Sequence, residues 1–535
     1  MAKKRLRRSM MGACLPLALL FAAFSSSART SATAESQLGK VDFATSCSAN
    51  AQPILEKGLA LLHSFQYMEA RQTFEQAEAV DAKCAMAHWG IAMTQYEQLW
   101  EFPDAKQLAK GHQEIELAQR LHPRTEKEKG FIAAAAVFYQ ENAKLSHAER
   151  IKAYSEAMQK LHERMPGDVE VGAFTALSLV AVAYSDVDSL ENQKKAIAIL
   201  NPLFEKYPDH PGVAHYLIHA ADRPELAQQG LAAARRYAEI APDSPHALHM
   251  PSHIFVRLGL WQDSIESNIA SVASAVRLAE QHKGESHYQT HAMDYLNYSY
   301  LQSGQEAKAR EVIANIDHVV GANEETKAQR RSFLEARTAL ELHRWKEAAN
   351  LPVPAVPIDE QDSAYWARAI GAARSGDVAS AQAGAQALMK SVQAREERSR
   401  KQGYEVSSEK ATDLREAEAW LAYAQGRTDD ALTELRAAMA REEKNGGESV
   451  IIPAREMLAD MLMELKRPTE ALGEYKTVLK NAPNRFDALL GAGRAAEASG
   501  DKNEAQTFYA KLVEDCPAAA DRPELAEAKT VLARK

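Results

Sequence analysis

Two short stretches of the sequence concentrate histidine. HPGVAHYLIHAAD (210–222) and HALHMPSHIF (246–255) each hold three: His210, His215, His219, His246, His249 and His253. Nine of the 17 histidines in the 535-residue chain lie between His210 and His291. Imidazole is the commonest metal ligand among side chains, and its two nitrogens also donate to or accept from polar ligands. The clustering therefore predicts a metal site or a polar binding site in this part of the chain.

The spacing within each stretch favours the same interpretation. His215 and His219 are four residues apart, as are His249 and His253. Residues at this spacing share one face of a helix, and His-x-x-x-His is a known spacing for metal ligands. Pro251 lies inside the second pair and either kinks its helix or delays its start, because proline cannot donate to the carbonyl of residue 247. The kink changes the relative direction of His249 and His253.

The elements that position these residues are helices. Apolar residues recur with helical period through the whole chain, and no convincing strand pattern is found. The chain also repeats itself: TEALGEYKTVLKNAP (469–483) and NEAQTFYAKLVEDCP (503–517) align alanine, tyrosine and proline at a constant offset of 34 residues. Related segments occur at 67–82, 258–271, 376–388 and 426–440.

These repeats resemble the tetratricopeptide repeat (TPR) family, whose units carry small residues and aromatics at these positions. The resemblance covers most of residues 45–520 and implies an all-α solenoid of helix hairpins. The Pro-rich segment LPVPAVPIDEQDS (351–363) interrupts the helical pattern. We therefore expect an N-terminal array over 40–350, a linker at 351–363 and a C-terminal array over 364–535.

The resemblance also places the histidines. In TPR arrays the second, fifth and ninth residues of each first helix usually face the concave groove. A unit anchored on Gly259 and Trp261 puts His246, His249 and His253 at these positions, and the preceding unit puts His215 and His219 at the last two. The neighbouring groove positions are Asp222, His291, Asp294 and Tyr298. The segments 210–227 and 245–261 are similar to those of exported bacterial TPR proteins, a resemblance that implies no particular activity.

Three interpretations of the cluster remain open at this point. The first is a metal site for Cu, Zn or Fe formed by His215, His219, His249 and His253. The second is a metal-free pocket in which the histidines bind a polar or anionic ligand, with His246, Asp222, His291, Asp294 and Tyr298 contributing. The third is a set of structural histidines that hydrogen-bond one another and the backbone.

Two functions follow from these interpretations. The main expectation is a scaffold whose groove binds a partner protein, a peptide or a small ligand. The alternative is a metal-binding protein or metal-dependent enzyme. Nucleic acid is not an expected partner, because the net charge is −9 at pH 7 and phosphate binding needs clustered basic residues.

The N-terminus predicts export. Residues 1–34 have a basic start, an apolar run from about Met10 to Phe24 and then small residues, which is the pattern of a signal peptide. No later stretch is apolar and long enough to predict a membrane span. We expect a periplasmic protein in a Gram-negative cell, or otherwise a secreted one.

In a TPR array Cys47 and Cys84 would precede parallel first helices of successive units, which implies a disulfide in the oxidising compartment and leaves Cys516 as a thiol.

Overall fold

Helices provide the regular structure of this protein. The computed structural model describes residues 37–99, 102–140, 144–185, 189–282, 286–404, 406–444, 446 and 450–534. These ranges contain α-helices and two 3₁₀ helices but no strand, which confirms the all-α prediction. No helix within them is both apolar and long enough to cross a membrane. The predicted signal peptide lies outside the described residues.

The bounds of the α-helices are as follows, in chain order. They are α1 (Gln52–His63), α2 (Tyr67–Val80), α3 (Ala85–Met93), α4 (Ala105–Arg120), α5 (Glu126–Tyr139), α6 (His147–Arg164), α7 (Val169–Ser185), α8 (Glu191–Lys206), α9 (Pro211–Ala221), α10 (Ala227–Ile240), α11 (Pro245–His249), α12 (Pro251–Arg257), α13 (Trp261–His282), α14 (Ser286–Gln302), α15 (Glu306–Ala314), α16 (Glu324–Glu341), α17 (Trp345–Ala349), α18 (Asp362–Arg374), α19 (Val378–Lys401), α20 (Thr412–Ala424), α21 (Thr428–Lys444), α22 (Ala454–Glu464), α23 (Pro468–Asn481), α24 (Phe486–Ala498), α25 (Lys502–Asp515) and α26 (Glu524–Ala533). The 3₁₀ helices are Asn315–His318 and Ile358–Glu360.

The helices stack in the order of the chain. Each helix packs against the next, and helices two apart also touch, as α1 with α3 and α18 with α20. The repeat residues explain this packing: Ala471 and Ala505 are fully buried where helices cross, and Tyr475 and Tyr509 fill the adjacent space. Small residues let helix axes approach, and the aromatic rings bury the apolar area that holds them together. The result is a TPR-type solenoid.

Two large hydrophobic cores lie along the stack. The first extends from Leu38 to Phe255, and the second extends from Ala336 to Ala528. Helices α16 and α17 precede the Pro-rich segment but belong to the second core together with α18 and later helices. Within the segment Leu351 and Val356 are themselves buried. The division into two arrays at 351–363 stays a prediction.

Distant parts of the stack also touch. The indole Nε1 of Trp261 donates to the carbonyl of Asn484 at 2.9 Å, and the Asn484 amide donates to the carbonyl of Gly259 at 3.1 Å. Gly259 has a φ of +65°, and a Cβ there would lie 2.2 Å from the carbonyl oxygen of Pro483. Only glycine fits both the left-handed backbone and this close approach. The start of α13 is thereby joined to the loop before α24.

A disulfide closes the first unit, and the predicted pairing is confirmed. Cys47 and Cys84 are bonded with their Cα atoms 4.6 Å apart, and Cys84 is the N-cap residue of α3. Cys516 is a free, half-buried thiol. The bond links the segment before α1 to the start of α3, and helices α1 and α3 pack against each other.

Removing this disulfide should lower the free energy of unfolding by about 4 kcal/mol, because the bond restricts the unfolded chain over a sequence separation of 37 residues. The test compares urea unfolding of the oxidised protein with that of a Cys47→Ala/Cys84→Ala variant. Cys516→Ala serves as the control and should change stability by less than about 1 kcal/mol. Equal stability of the double variant and the parent would contradict the prediction.

Candidate functional site

Six histidines from four helices meet in one place. We call them the histidine cluster: His215 and His219 on α9, His246 and His249 on α11, His253 on α12, and His291 on α14. The first four are buried, His253 is half-buried and His291 is exposed at the edge. The cluster is therefore a largely enclosed site with one side near solvent.

The cluster consists of two groups of three. Ligand atoms of His215, His219 and His246 all lie within 4.8 Å of one another, and so do those of His249, His253 and His291. We call these the first triad and the second triad. The predicted ligand set is thus divided between the triads: His215 and His219 belong to the first, and His249 and His253 belong to the second. Ring centroids of His219 and His253 are 6.4 Å apart across the boundary.

A break in the backbone shapes the second triad. Helix α11 ends at His249 and α12 begins at Pro251, as the proline predicts. The amide of His253 donates to the carbonyl of Met250 at 3.1 Å, and Met250 itself has helical backbone angles, so α12 follows α11 directly. The Nε2 atoms of His249 and His253 come to 3.1 Å from each other as a result.

Hydrogen bonds to the opposite ring nitrogens determine the protonation of this pair. Nδ1 of His249 lies 2.7 Å from Oδ1 of Asn268, whose amide nitrogen donates to the carbonyl of Ser264 and so fixes the amide orientation. Nδ1 of His253 lies 2.8 Å from a carboxylate oxygen of Asp222. Amide and carboxylate oxygens accept hydrogen bonds, so each Nδ1 carries the proton and donates it.

Consequently the two Nε2 atoms face each other with their lone pairs. Two lone pairs at 3.1 Å repel unless a proton or a cation lies between them. Two nitrogens bound to one metal ion at about 2.0–2.1 Å, at angles of about 90–110°, are themselves about 2.9–3.4 Å apart. The separation of the His249 and His253 nitrogens fits that geometry.

The first triad also presents ring nitrogens to its centre. Nδ1 of His215 donates to the backbone carbonyl of His63 at 2.6 Å, which leaves Nε2 with its lone pair 2.9 Å from Nε2 of His246. His219 is 6% exposed, yet among the described residues neither of its ring nitrogens has a hydrogen-bond partner. Buried polar atoms are rarely left unpaired, since this costs free energy.

The buried histidines are neutral at pH 7. Burial lowers the pKa of His215, His246 and His249 well below the usual value, and lowers that of His219 to about 3. Neighbouring histidines lower the pKa further, because each would repel a second positive charge. Neutral imidazole is the form that binds metal ions.

One carboxylate borders the cluster. Burial by itself raises the pKa of Asp222, but Arg257 and His253 outweigh burial and hold it below the usual range. Nε of Arg257 donates to the second carboxylate oxygen at 2.9 Å. Asp222 is thus an ionised group that orients His253 while Arg257 balances its charge.

Two of the predicted groove residues lie outside the cluster. Asp294 pairs with Arg337, with Oδ1 and Nη1 2.5 Å apart, and the hydroxyl of Tyr298 accepts from Arg485 at 2.8 Å. Tyr295 is the residue that sequence reasoning missed: its hydroxyl is 3.2 Å from Nδ1 of His253. Its position four residues after His291, on the same helix face, was the available signal.

A further group of buried residues supports the first triad. Glu170 joins His63 and His210, with oxygen–nitrogen distances of 2.8 and 2.9 Å. The other nitrogen of His63 contacts the hydroxyl of Tyr216 at 2.9 Å, and that of His210 accepts from a backbone amide. A Cβ at Gly212 would lie 2.3 Å from Nδ1 of His63, so glycine is needed here. All these ring nitrogens are hydrogen-bonded, which indicates a structural role.

Comparisons with known proteins bear on the repeats. The tetratricopeptide repeat family model matches residues 416–474 and 456–520. No curated protein matches the sequence. A solved tetratricopeptide repeat protein from Parabacteroides merdae is 14% identical, over 54% of this chain and 97% of that chain, with a TM-score of 0.29.

Two further solved structures are similar over more of the chain. Yeast Tom70 is 12% identical, over 90% of this chain and 95% of that chain, with a TM-score of 0.34. The human IFIT1 dimer with PPP-AAAA is 13% identical, over 82% of this chain and 91% of that chain, with a TM-score of 0.35. The matched family model identifies residues 416–520 as tetratricopeptide repeats, and the stacked helix pairs elsewhere in the described residues have the same all-α arrangement.

Proposed function

We propose that this protein is an exported TPR scaffold whose histidine cluster binds a transition metal ion. One observation carries the proposal: the Nε2 atoms of His249 and His253 face each other at 3.1 Å, although both Nδ1 atoms donate elsewhere. A cation between the two nitrogens removes the repulsion of their lone pairs. Protonating one ring removes it too. Burial opposes a positive charge on His249, and the metal content separates a bound cation from a proton on His253.

The donor set favours Cu, Zn or Fe. Neutral imidazoles suit these ions, whereas Mg²⁺ and Ca²⁺ prefer oxygen ligands. His249, His253 and His291 would hold the ion, with Asn268 and Asp222 orienting two of the rings. His291 is exposed, so the ion would be reached from that side. An enzyme would need an open coordination position there, and this remains the alternative function.

The scaffold part of the proposal rests on the repeats. TPR arrays commonly bind protein or peptide partners, and we propose such a partner for this array. Export is supported by the sequence of residues 1–34 and by the disulfide, since such bonds persist in oxidising compartments. The metal-free alternative, in which the cluster binds a polar ligand, makes a different prediction about metal content.

Elemental mass spectrometry tests the metal proposal. The untagged protein, purified from the export compartment, should contain at least one equivalent of Cu, Zn or Fe per chain. His253→Ala should lose an equivalent, whereas His318→Ala, which changes an exposed histidine outside the cluster, should lose none. Folded protein that stays at background metal even after titration with all three ions would refute the proposal.

The residues behind the ligands should also matter. Asn268→Ala removes the acceptor that orients His249, and we expect metal affinity to fall about 10–100-fold. Asn268→Asp keeps an oxygen that accepts from His249 but cannot donate to the carbonyl of Ser264, so its affinity should lie between those of Asn268→Ala and the parent. The measurement is competition against a chelator of known affinity. If both variants bind as the parent does, Asn268 does not position His249.

A further inference from the structure

We propose that the first triad, His215, His219 and His246, binds a second transition metal ion beside the one in the second triad. The histidine cluster would then be a paired metal site with three histidines for each ion. This inference rests on the proposed function, because it extends metal binding from one half of the cluster to the other. Its evidence is separate and comes from a different set of contacts.

The strongest evidence is His219. Its side chain is more than nine-tenths buried, and neither ring nitrogen has a hydrogen-bond partner among the described residues. One of its nitrogens lies within 4.8 Å of ligand atoms on both His215 and His246. Burying an imidazole with both nitrogens unpaired is unfavourable, and a bound cation would satisfy the nitrogen that faces the triad.

His215 is held in an orientation that suits a ligand. Its Nδ1 donates to the carbonyl of His63, so its Nε2 lone pair is directed at the triad. Histidine ligands commonly donate their second ring nitrogen to a backbone carbonyl in this way. The His63 carbonyl is itself held in place, because the ring of His63 bonds Glu170 and Tyr216 in the core.

The spacing favours two ions over one shared ion. Two nitrogens bound to the same ion at about 2.0–2.1 Å are at most about 4.2 Å apart. The closest ring nitrogens pair within the triads, at 2.9 Å for His215 with His246 and 3.1 Å for His249 with His253. Among the described residues, the sets of three ligand atoms within 4.8 Å of one another lie inside each triad and not across the two. The spacing therefore favours one ion for each triad.

The two sites should differ in affinity. Two divalent cations on neighbouring triads repel each other, and Asp222 already balances Arg257. The second equivalent should therefore bind more weakly than the first.

The experiment counts metal ions in matched variants. Metal-free protein is titrated with Zn²⁺, unbound metal is removed, and bound metal is measured by elemental mass spectrometry. We expect two equivalents in the parent, one in His219→Ala, one in His253→Ala and none in the double variant. His318→Ala should bind two. His219→Gln and His253→Gln repeat the test with polar side chains, and circular dichroism confirms that each variant is folded.

Other outcomes separate this inference from the proposed function. One equivalent in the parent, kept in His219→Ala and lost in His253→Ala, overturns the second ion and leaves the proposed function intact. One equivalent lost in both variants means a single ion shared by the triads, which also overturns the inference. No zinc, copper or iron in the folded parent overturns the proposed function, and the paired site with it.

Discussion

Replacing Arg485 by methionine should lower the free energy of unfolding by about 3–5 kcal/mol. Arg485 is fully buried and donates to both oxygens of Glu341, at 3.0 and 2.9 Å, and to both oxygens of Glu456, at 2.8 and 2.6 Å. Methionine fills a similar volume but leaves two buried carboxylates without their cation. The loss arises because the two buried carboxyl groups lose their cation and its hydrogen bonds, and urea unfolding measures it.

The loss should also increase with pH. Burial raises the pKa of Glu456 to about 8 even with Arg485 beside it. Without the arginine the neutral acid is favoured still more in the folded state, whereas an unfolded glutamate ionises near pH 4.3. Folded protein would therefore hold a proton that unfolded protein releases. Above about pH 8 the folded parent releases this proton while the folded variant keeps it, so the difference in stability between parent and variant should be larger at pH 9 than at pH 7.

An exposed pair provides the control for Arg485. Arg494 donates to Glu527 at 2.8 Å, but the two side chains are 41% and 40% exposed. Arg494→Met should therefore cost at most about 1 kcal/mol, since solvent screens the pair. Changing Glu341 and Glu456 to glutamine in the Arg485→Met background should recover part of the stability. A loss of under about 1 kcal/mol for Arg485→Met would show that the network does not stabilise the fold.

The metal-free protein should unfold when it is acidified from pH 7 to about 5. Burial lowers the pKa of His215, His219, His246 and His249 in the folded state, and unfolded histidine titrates near 6.5. Below pH 6.5 the unfolded chain binds protons that the folded chain does not. Stability is thus fully present above pH 6.5 and is lost as the pH falls towards the folded-state values, about 3 for His219.

The size of this effect follows from the number of protons. One proton contributes about 1.4 kcal/mol per pH unit, so four histidines contribute about 5 kcal/mol per pH unit. A loss at this rate removes a typical free energy of unfolding of about 5–15 kcal/mol within one to three pH units. Urea unfolding with a chelator present, at pH 7.5, 6.5 and 5.5, gives the slope. His219→Gln should reduce proton uptake by about one, and His318→Ala should leave the uptake by these buried rings unchanged. A slope near zero would contradict the prediction.

The sequence by itself determined the architecture and the helices that carry the site. Helical periodicity excluded strands, and the offset of 34 residues predicted the stacked pairs in which Ala471 and Tyr475 are buried. The same register placed His215 and His219 on one helix, and Pro251 predicted the break between α11 and α12. These features are local: they depend on residues within a few turns of one another, so one chain segment is enough to predict them.

Tertiary structure alone decided which histidines face one another and which nitrogens are available. Helical periodicity does not predict how far the side chain of His249 is rotated relative to that of His253 across the proline break. It also does not predict that the six histidines divide into two triads. The protonation depends on acceptors distant in sequence: the His63 carbonyl is 152 residues from His215, and Asp222 is 31 residues from His253. The hydroxyl of Tyr298 likewise has a partner that is distant in sequence: it accepts from Arg485, 187 residues away, and lies outside the cluster. Hydrogen bonds between distant residues form only once the helices stack, so periodicity cannot predict them.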